Sequence, residues 1–218
     1  MTAKTVVAFD LYGTLLSTES IAKQLEKHYD NAKVQSISVL WRRYQLEYTW
    51  RLNSMGRYED FSAITRNSLL HALADNNEQL SDDNNEQLSD DTIEHLIFDP
   101  TIQAVIFSNG TKTMVSNSVL RSKDLAPHAS VFQDLVTVDE VKQYKPSKAS
   151  YEHLAKQTTR DPSQMSKLWL ISGSPFDIVG ARATGMQAIW VDRVGTGWKA
   201  DMAPRSTANG HYTVWSTL

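Results

Sequence analysis

The sequence predicts an α/β protein, a Rossmann-like parallel sheet with a small helical domain inserted after its first strand. Three observations carry that reading. Short, apolar, β-branched runs end one after another at small or acidic residues. Helical stretches alternate with those runs from about residue 104 onward. Three helical stretches in succession break off directly after the first run.

Thr5–Phe9 is apolar without alternation, as expected of a strand covered on both faces. It runs into Asp10-Leu11-Tyr12-Gly13-Thr14, where the glycine permits a sharp turn. From Thr18 to about Tyr29 the pattern is helical, with Thr18 as N-cap and Ile21 four residues before Leu25. A second helix is expected from about Ser36 to Ser54, with Val39, Leu40, Arg43, Leu46 and Trp50 on adjoining faces. A third runs from about Glu59 to Ala74 through Phe61, Ile64, Leu69 and Leu73. The octet Asp-Asn-Asn-Glu-Gln-Leu-Ser-Asp then occurs twice, at 75–82 and 83–90. It reads as a tandem duplication in a solvated loop, since two copies make no repeat architecture. Strands follow at Ala104–Phe107, within Val131–Val138, at Leu168–Ile171 and at Ala188–Val191. Helices between them are expected at Lys112–Ser122, at Ser147–Gln157 and up to Thr184. Such alternation implies parallel strands with right-handed crossovers. The expected boundaries are 1–16 and 98–218 for the sheet domain, and 17–97 for a helical cap.

Composition narrows the function classes. Of 218 residues, 41% are hydrophobic, enough for a sizeable core, and 22% are charged, as in an ordinary globular protein. A net charge of -3 is no footprint for nucleic acid. The absence of cysteine excludes disulfides, thiolate catalysis and cysteine-ligated zinc. The six histidines are scattered without metal-type spacing. Val6–Phe9 is too short for a signal-peptide core or a membrane span, so a soluble, cytoplasmic protein is expected.

Polar residues collect at the predicted C-terminal ends of the strands: Asp10 and Thr14, then Ser108 and Asn109, then Ser172, Ser174 and Asp177, with Lys145 in the loop before Pro146. In an open α/β sheet those ends line one crevice. For Tyr12 and Tyr151 the competing reading is plain packing. For Arg42 it is a surface position, with Arg43 turned inward. For Asn109 it is a turn role, and for Asp177 a charge at a helix N-terminus.

Phe9-Asp10-Leu11-Tyr12-Gly13-Thr14-Leu15, Ser108-Asn109-Gly110-Thr111, Lys145-Pro146 with Tyr151 beyond, and Ser172 with Asp177 resemble the four motifs of the haloacid dehalogenase superfamily. The strings Trp41-Arg42 and Gln45-Leu46-Glu47-Tyr48-Thr49-Trp50 are similar to the substrate-covering helix of the L-2-haloacid dehalogenases, of fungal type. The resemblance implies that Asp10 displaces halide from a short L-2-haloacid, and that water then hydrolyses the Asp10 ester. It implies that Lys145 and Thr14 hold Asp10, and that Arg42 and Asn109 receive the halide. Ser108, with the backbone N–H groups after it and after Asp10, would hold the substrate carboxylate. Ser172, Ser174 and Asp177 would serve the hydrolytic water. Leu11, Tyr12, Leu46, Phe61, Tyr151 and Phe176 would complete the substrate pocket. It also suggests a homodimer.

Superfamily phosphatases carry a second Asp where this chain has Tyr12. That acid protonates a leaving alkoxide, which a departing halide does not need. Asp10 and Asp177 alone make a poor Mg²⁺ site, so neither metal nor cofactor is expected. A phosphatase acting on a small ester and a catalytically impaired relative are the competing functions. Two departures from the family stand out. Its fourth motif usually has Asn where this chain has Ser174, which donates one hydrogen bond instead of two. The stretch Leu96–Gln103, broken by Pro100, is also too short for the core helix that precedes the Ser-Asn strand, so one sheet face is expected to lie bare, open to coverage by a dimer partner.

Overall fold

Six parallel strands form one sheet in the order β3-β2-β1-β4-β5-β6. They are β1 (Thr5–Phe9), β2 (Ile102–Ser108), β3 (Asp134–Thr137), β4 (Leu168–Ser172), β5 (Gln187–Asp192) and β6 (Thr213–Ser216). The computed structural model describes residues 4–16, 25–26, 29–76, 102–158, 161–192, 197–198 and 213–216. The duplicated octet beyond Asn76, the stretch 96–101 and most of the helix expected at 18–29 lie outside them. The edge strand β6, which pairs with β5, was not among the strands expected from the sequence. Its Thr-Val-Trp-Ser run offers only four residues, too few for a period to show.

Register brings the functional motifs together. Phe9 pairs with Ile106 on one side and Ile171 on the other, and Ser108 pairs with Thr137. Asp10, Ser108 and Ser172 therefore share one C-terminal edge. Gly13, at φ 85°, turns the chain directly after Asp10 in a conformation that L side chains rarely adopt.

The two sheet faces differ. One packs under α4 (Lys148–Gln157) and α5 (Pro175–Ala183), where Val6, Ala8, Leu168 and Leu170 are fully buried with Leu154 and Ala181. The other meets α3 (Lys112–Arg121) through Val115 and Val119, which cover Phe9, Ala104 and Ile106. On that second face Val7, Trp169, Ile171 and Ile189 remain half-buried. Burial thus alternates along β4 and β5, in contrast to strands covered on both sides. The reason is topological: among the described residues α3 lies over the β2 side, and no described helix covers β1 and β4 there.

Two helices, α1 (Asn31–Ser54) and α2 (Phe61–Asp75), pack against each other and stand over the C-terminal edge. Each starts at an aspartate whose carboxylate accepts backbone N–H groups, Asp30 from Lys33 and Asp60 from Ser62 and Ala63. The first begins earlier than its apolar pattern suggests, and a different stripe is buried. Val34, Ile37, Gln45 and Thr49 face inward, whereas Val39 is 65% exposed and Trp50 41% exposed. Polar residues fit that stripe because they are satisfied there. Gln45 donates to Thr65 Oγ1, and Thr49 donates to the Leu46 carbonyl. No described helix is long and apolar enough to cross a membrane.

Candidate active site

A pocket lies between the strand ends and the α1–α2 pair. It is lined by Asp10, Tyr12, Arg42, Leu46, Phe61, Ser108, Asn109, Lys145, Ser174 and Phe176. Its floor is an ionic network. Lys145 Nζ donates to Asp10 Oδ1 at 2.8 Å, to Asp177 Oδ2 at 2.6 Å and to the Phe107 carbonyl at 3.1 Å. Thr14 Oγ1 donates to Asp10 Oδ2 at 2.8 Å and accepts from the Gly173 N–H at 2.8 Å. Ser172 Oγ approaches the same Asp10 oxygen at 3.5 Å. Asp10 thus has both oxygens held, in a site where its residue is 7% exposed.

Electrostatics follows from burial. Desolvation alone would depress the Lys145 ammonium, but the charges of Asp10 and Asp177 outweigh it and hold its pKa above the ordinary lysine value. Burial pushes the Asp177 carboxyl up, Lys145 pulls it back, and Asp10 adds to the rise. Burial also pushes the Tyr151 phenol well up, helped by the Asp177 charge, so it is a permanent donor. That hydroxyl gives Asp177 Oδ1 a hydrogen bond of 2.7 Å.

Those contacts correct two sequence expectations. Tyr151 is fully buried and bonds Asp177; it does not line the pocket. Asp177, also fully buried, has its two oxygens engaged by Tyr151 and Lys145, so it reaches Asp10 through the lysine and does not face the pocket. The Leu11 side chain is buried in the core with Phe9 and Leu16, so its expected part falls to its backbone N–H, the one after Asp10. The close approach of Tyr151 needs Gly180. A Cβ there would sit 2.4 Å from the Tyr151 hydroxyl and 2.6 Å from Pro146 Cβ.

Thr14 and Ser172 are buried and act through Asp10, and the other expected residues meet at the pocket. Asn109 Oδ1 accepts the Lys145 backbone N–H at 2.9 Å, which leaves its NH₂ as the donor on the other side of the amide. Ser108 Oγ accepts from the Gly110 N–H at 3.1 Å. Tyr12 shares a 2.9 Å hydrogen bond with Ser118, and burial raises its pKa. Phe176 stands edge-on to Trp50 of α1, ring centroids 5.6 Å apart.

Arg42 forms the roof, half-buried, whereas Arg43 is exposed. Burial lowers the Arg42 pKa and the Asp10 charge opposes that. Its Nη1 donates to Gln45 Oε1 at 2.5 Å, and Gln45 Nε2 donates onward to Thr65 Oγ1 at 2.8 Å. Thr65 in turn donates to the Phe61 carbonyl at 2.6 Å. Sequence reasoning assigned nothing to Gln45 or Thr65. The available signal was a glutamine three residues after Arg42, and so on the same helix face.

Among the described residues no three His, Asp or Glu side chains converge into an ion-binding group. A divalent cation bridging Asp10 and Asp177 would have to displace the Lys145 ammonium, so these residues do not fit a Mg²⁺ centre there.

Ancestry agrees with this arrangement. The sequence profile of the haloacid dehalogenase-like hydrolases matches residues 4–185. Haloacetate dehalogenase H-2 of Moraxella sp. (strain B) is 31% identical over 203 residues, 87% of this chain and 86% of that protein. (S)-2-haloacid dehalogenase H-109 of Pseudomonas putida is 32% identical over 197 residues, again 87% of this chain and 86% of that protein. The solved structure of the L-2-haloacid dehalogenase from Xanthobacter autotrophicus matches with a TM-score of 0.79 at 25% identity, covering 97% of this chain and 94% of that one. With a profile match over most of its length and relatives above 30% identity aligned nearly end to end, this chain belongs to the haloacid dehalogenase-like hydrolase family.

Proposed function

We propose that this protein hydrolyses short-chain L-2-haloacids to 2-hydroxy acids, with inversion at C2. The observation that carries the reading is the opposition of a clamped carboxylate and a cation across one small pocket. Asp10 is held by Lys145 and Thr14 on the floor, and Arg42 stands in the roof. The names of the relatives, haloacetate dehalogenase and (S)-2-haloacid dehalogenase, support the substrate class.

In the first step a carboxylate oxygen of Asp10 attacks C2 from behind. The carbon–oxygen bond forms as the carbon–halogen bond breaks, and halide leaves with the electron pair. Arg42 and the Asn109 amide receive it. Both lie against apolar Leu46, Phe61 and Phe176, where fixed donors act more strongly than in water. Ser108 and nearby backbone N–H groups hold the substrate carboxylate, and Tyr12 closes the wall. In the second step water attacks the ester carbonyl of Asp10, and the hydroxy acid leaves as the carboxylate is restored. The net balance is one water consumed and one halide and one proton released. Ser174 holds that water, a role supported by its position in the pocket lining, and Ser172 acts beside it on Asp10. Asp177 and Tyr151 serve by fixing Lys145. No step uses a metal.

The same reading makes residues 17–97 a cap over a sheet domain of 1–16 and 98–218, supported by the seating of α1 and α2 over the strand ends. It includes a cytoplasmic setting and a homodimer. Exposed Val39 and Leu70 on the outer sides of α1 and α2 support the dimer, which light scattering would test.

Halide release from L-2-chloropropionate, in the presence of chelator, tests the function. Release that Asp10→Asn abolishes, with a mass increment on Asp10 after rapid quenching, is the expected result. Phosphate release from an aryl phosphate with Mg²⁺ and no halide release would overturn it in favour of a phosphatase. Silence in both assays from the folded protein would point to an impaired relative.

A further inference from the structure

The backbone that carries Lys145 is gripped from two directions. From the sheet, Asn109 Oδ1 accepts the Lys145 N–H at 2.9 Å. From the helical pair, Asn53, one residue from the end of α1, makes a two-way bond to the residue before it. Its Nδ2 donates to the Tyr144 carbonyl at 2.8 Å and its Oδ1 accepts the Tyr144 N–H at 3.0 Å. The sequence separation is 91 residues. Tyr144 is itself fully buried, donates its hydroxyl to the Glu59 carbonyl in the α1–α2 connection, and stacks on Tyr58 with ring centroids 5.1 Å apart.

An amide that satisfies both backbone groups of one residue acts as an added strand partner. It fixes position and orientation together, because both bonds share one plane. Lys145 is the next residue, and its side chain must place one nitrogen within 2.8 Å of Asp10 and 2.6 Å of Asp177. A small shift of Tyr144 is therefore carried to the ammonium.

We propose that Asn53 is a positioning residue: by clamping Tyr144 it sets the station of Lys145 between Asp10 and Asp177, and it ties the aim of the nucleophile to the seating of α1. Asn53 touches neither the pocket nor the reacting atoms. Its turnover consequence rests on the dehalogenase reading; its structural consequence does not.

Two measurements on the full chain test this with three variants. Asn53→Ala removes the clamp. Asn53→Asp is isosteric and keeps the acceptor for the Tyr144 N–H while losing the donor, which serves if the alanine variant folds poorly. Tyr58→Phe is the control. It breaks another bond between the helical pair and the sheet domain, from Tyr58 to Asp139, while phenylalanine keeps the ring stacked on Tyr144.

The first measurement is acylation of lysines by an N-hydroxysuccinimide ester, read by mass spectrometry as Lys145 relative to the exposed Lys148. Wild type and Tyr58→Phe should protect Lys145 equally. Asn53→Ala should raise its labelling by about ten-fold, and Asn53→Asp by less. The second is halide release. Asn53→Ala should lower kcat by about ten-fold or more with KM changed by less than about two-fold, since the substrate contacts stay in place. Tyr58→Phe should leave both constants near wild type. Wild-type labelling and kcat in Asn53→Ala and Asn53→Asp would overturn the inference, as would equal effects from Tyr58→Phe. If wild type releases no halide, the dehalogenase reading fails and the labelling ratio alone decides the role of Asn53.

Discussion

On the floor of the pocket three charges hold one another: the ammonium of Lys145 lies between the carboxylates of Asp10 and Asp177, and Tyr151, Thr14 and a carbonyl take up the remaining hydrogen bonds. The roof carries one cation, Arg42, and its described hydrogen-bond partner is the neutral amide of Gln45. Floor charge is spent internally, so it fixes geometry and contributes to folding. Roof charge is uncommitted to any carboxylate within bonding distance among the described residues, so it is free to answer an anion. The two regions should therefore fail differently when a charge is removed.

The largest effect is expected on the floor. Lys145→Met fills much of the same volume and deletes the ammonium, leaving two buried carboxylates facing each other. Breaking a buried pair by removing one partner costs about 3–5 kcal/mol. Urea unfolding should show a loss of that order, and halide release should fall by about a thousand-fold or more because Asp10 loses its aim. A variant that loses activity but keeps full stability would show that the floor network is not structural, and the contrast with the roof would collapse.

Removing the roof charge should separate the two properties. Arg42→Gln should cut kcat/KM by about a hundred-fold or more, the scale of one lost donor to developing charge. Its stability should move by less than about 1 kcal/mol, since only a neutral partner is left behind and burial already disfavours the guanidinium. The check is a pair of measurements on one preparation, urea midpoint and halide release. A destabilisation comparable to that of Lys145→Met would mean that Arg42 is a structural charge as well.

The same contrast marks what was legible in the sequence. The floor was largely readable, because Asp10, Thr14, Ser108, Lys145 and Ser172 sit in short motifs at strand ends, and parallel register brings strand ends together. Asp177 and Tyr151 were found as residues, but not that they bond each other and Lys145. That contact depends on Tyr151 of α4 packing against Gly180 of α5, a packing fact with no local signal. In the roof, Arg42 was identified and its support was not. Gln45 and Thr65 act across two helices, and on the floor side the Asn53–Tyr144 bonds span 91 residues. Polar residues on a buried stripe look like exposed ones until the partner is known. Val39 and Trp50 failed for the converse reason, since apolar residues at helical spacing can still face water.

pH gives the mildest way to set floor against roof. The carboxylates raise the folded pKa of Lys145 above its ordinary 10.5, while burial lowers that of Arg42 below the usual arginine value. A raised lysine pKa means that the folded state binds its proton more tightly than the unfolded one. The stabilising contribution is then fully present below pH 10.5 and is lost only as pH rises through the folded value. From neutrality up to that point Lys145 should not discharge, so it should add no limb to halide release or to the urea midpoint. Above it, wild type should lose stability with a slope that Lys145→Met lacks and Arg42→Gln retains. Comparing the three urea midpoints across an alkaline series measures this directly, and an equal slope in Lys145→Met would assign the alkaline limb to a group other than the floor ammonium.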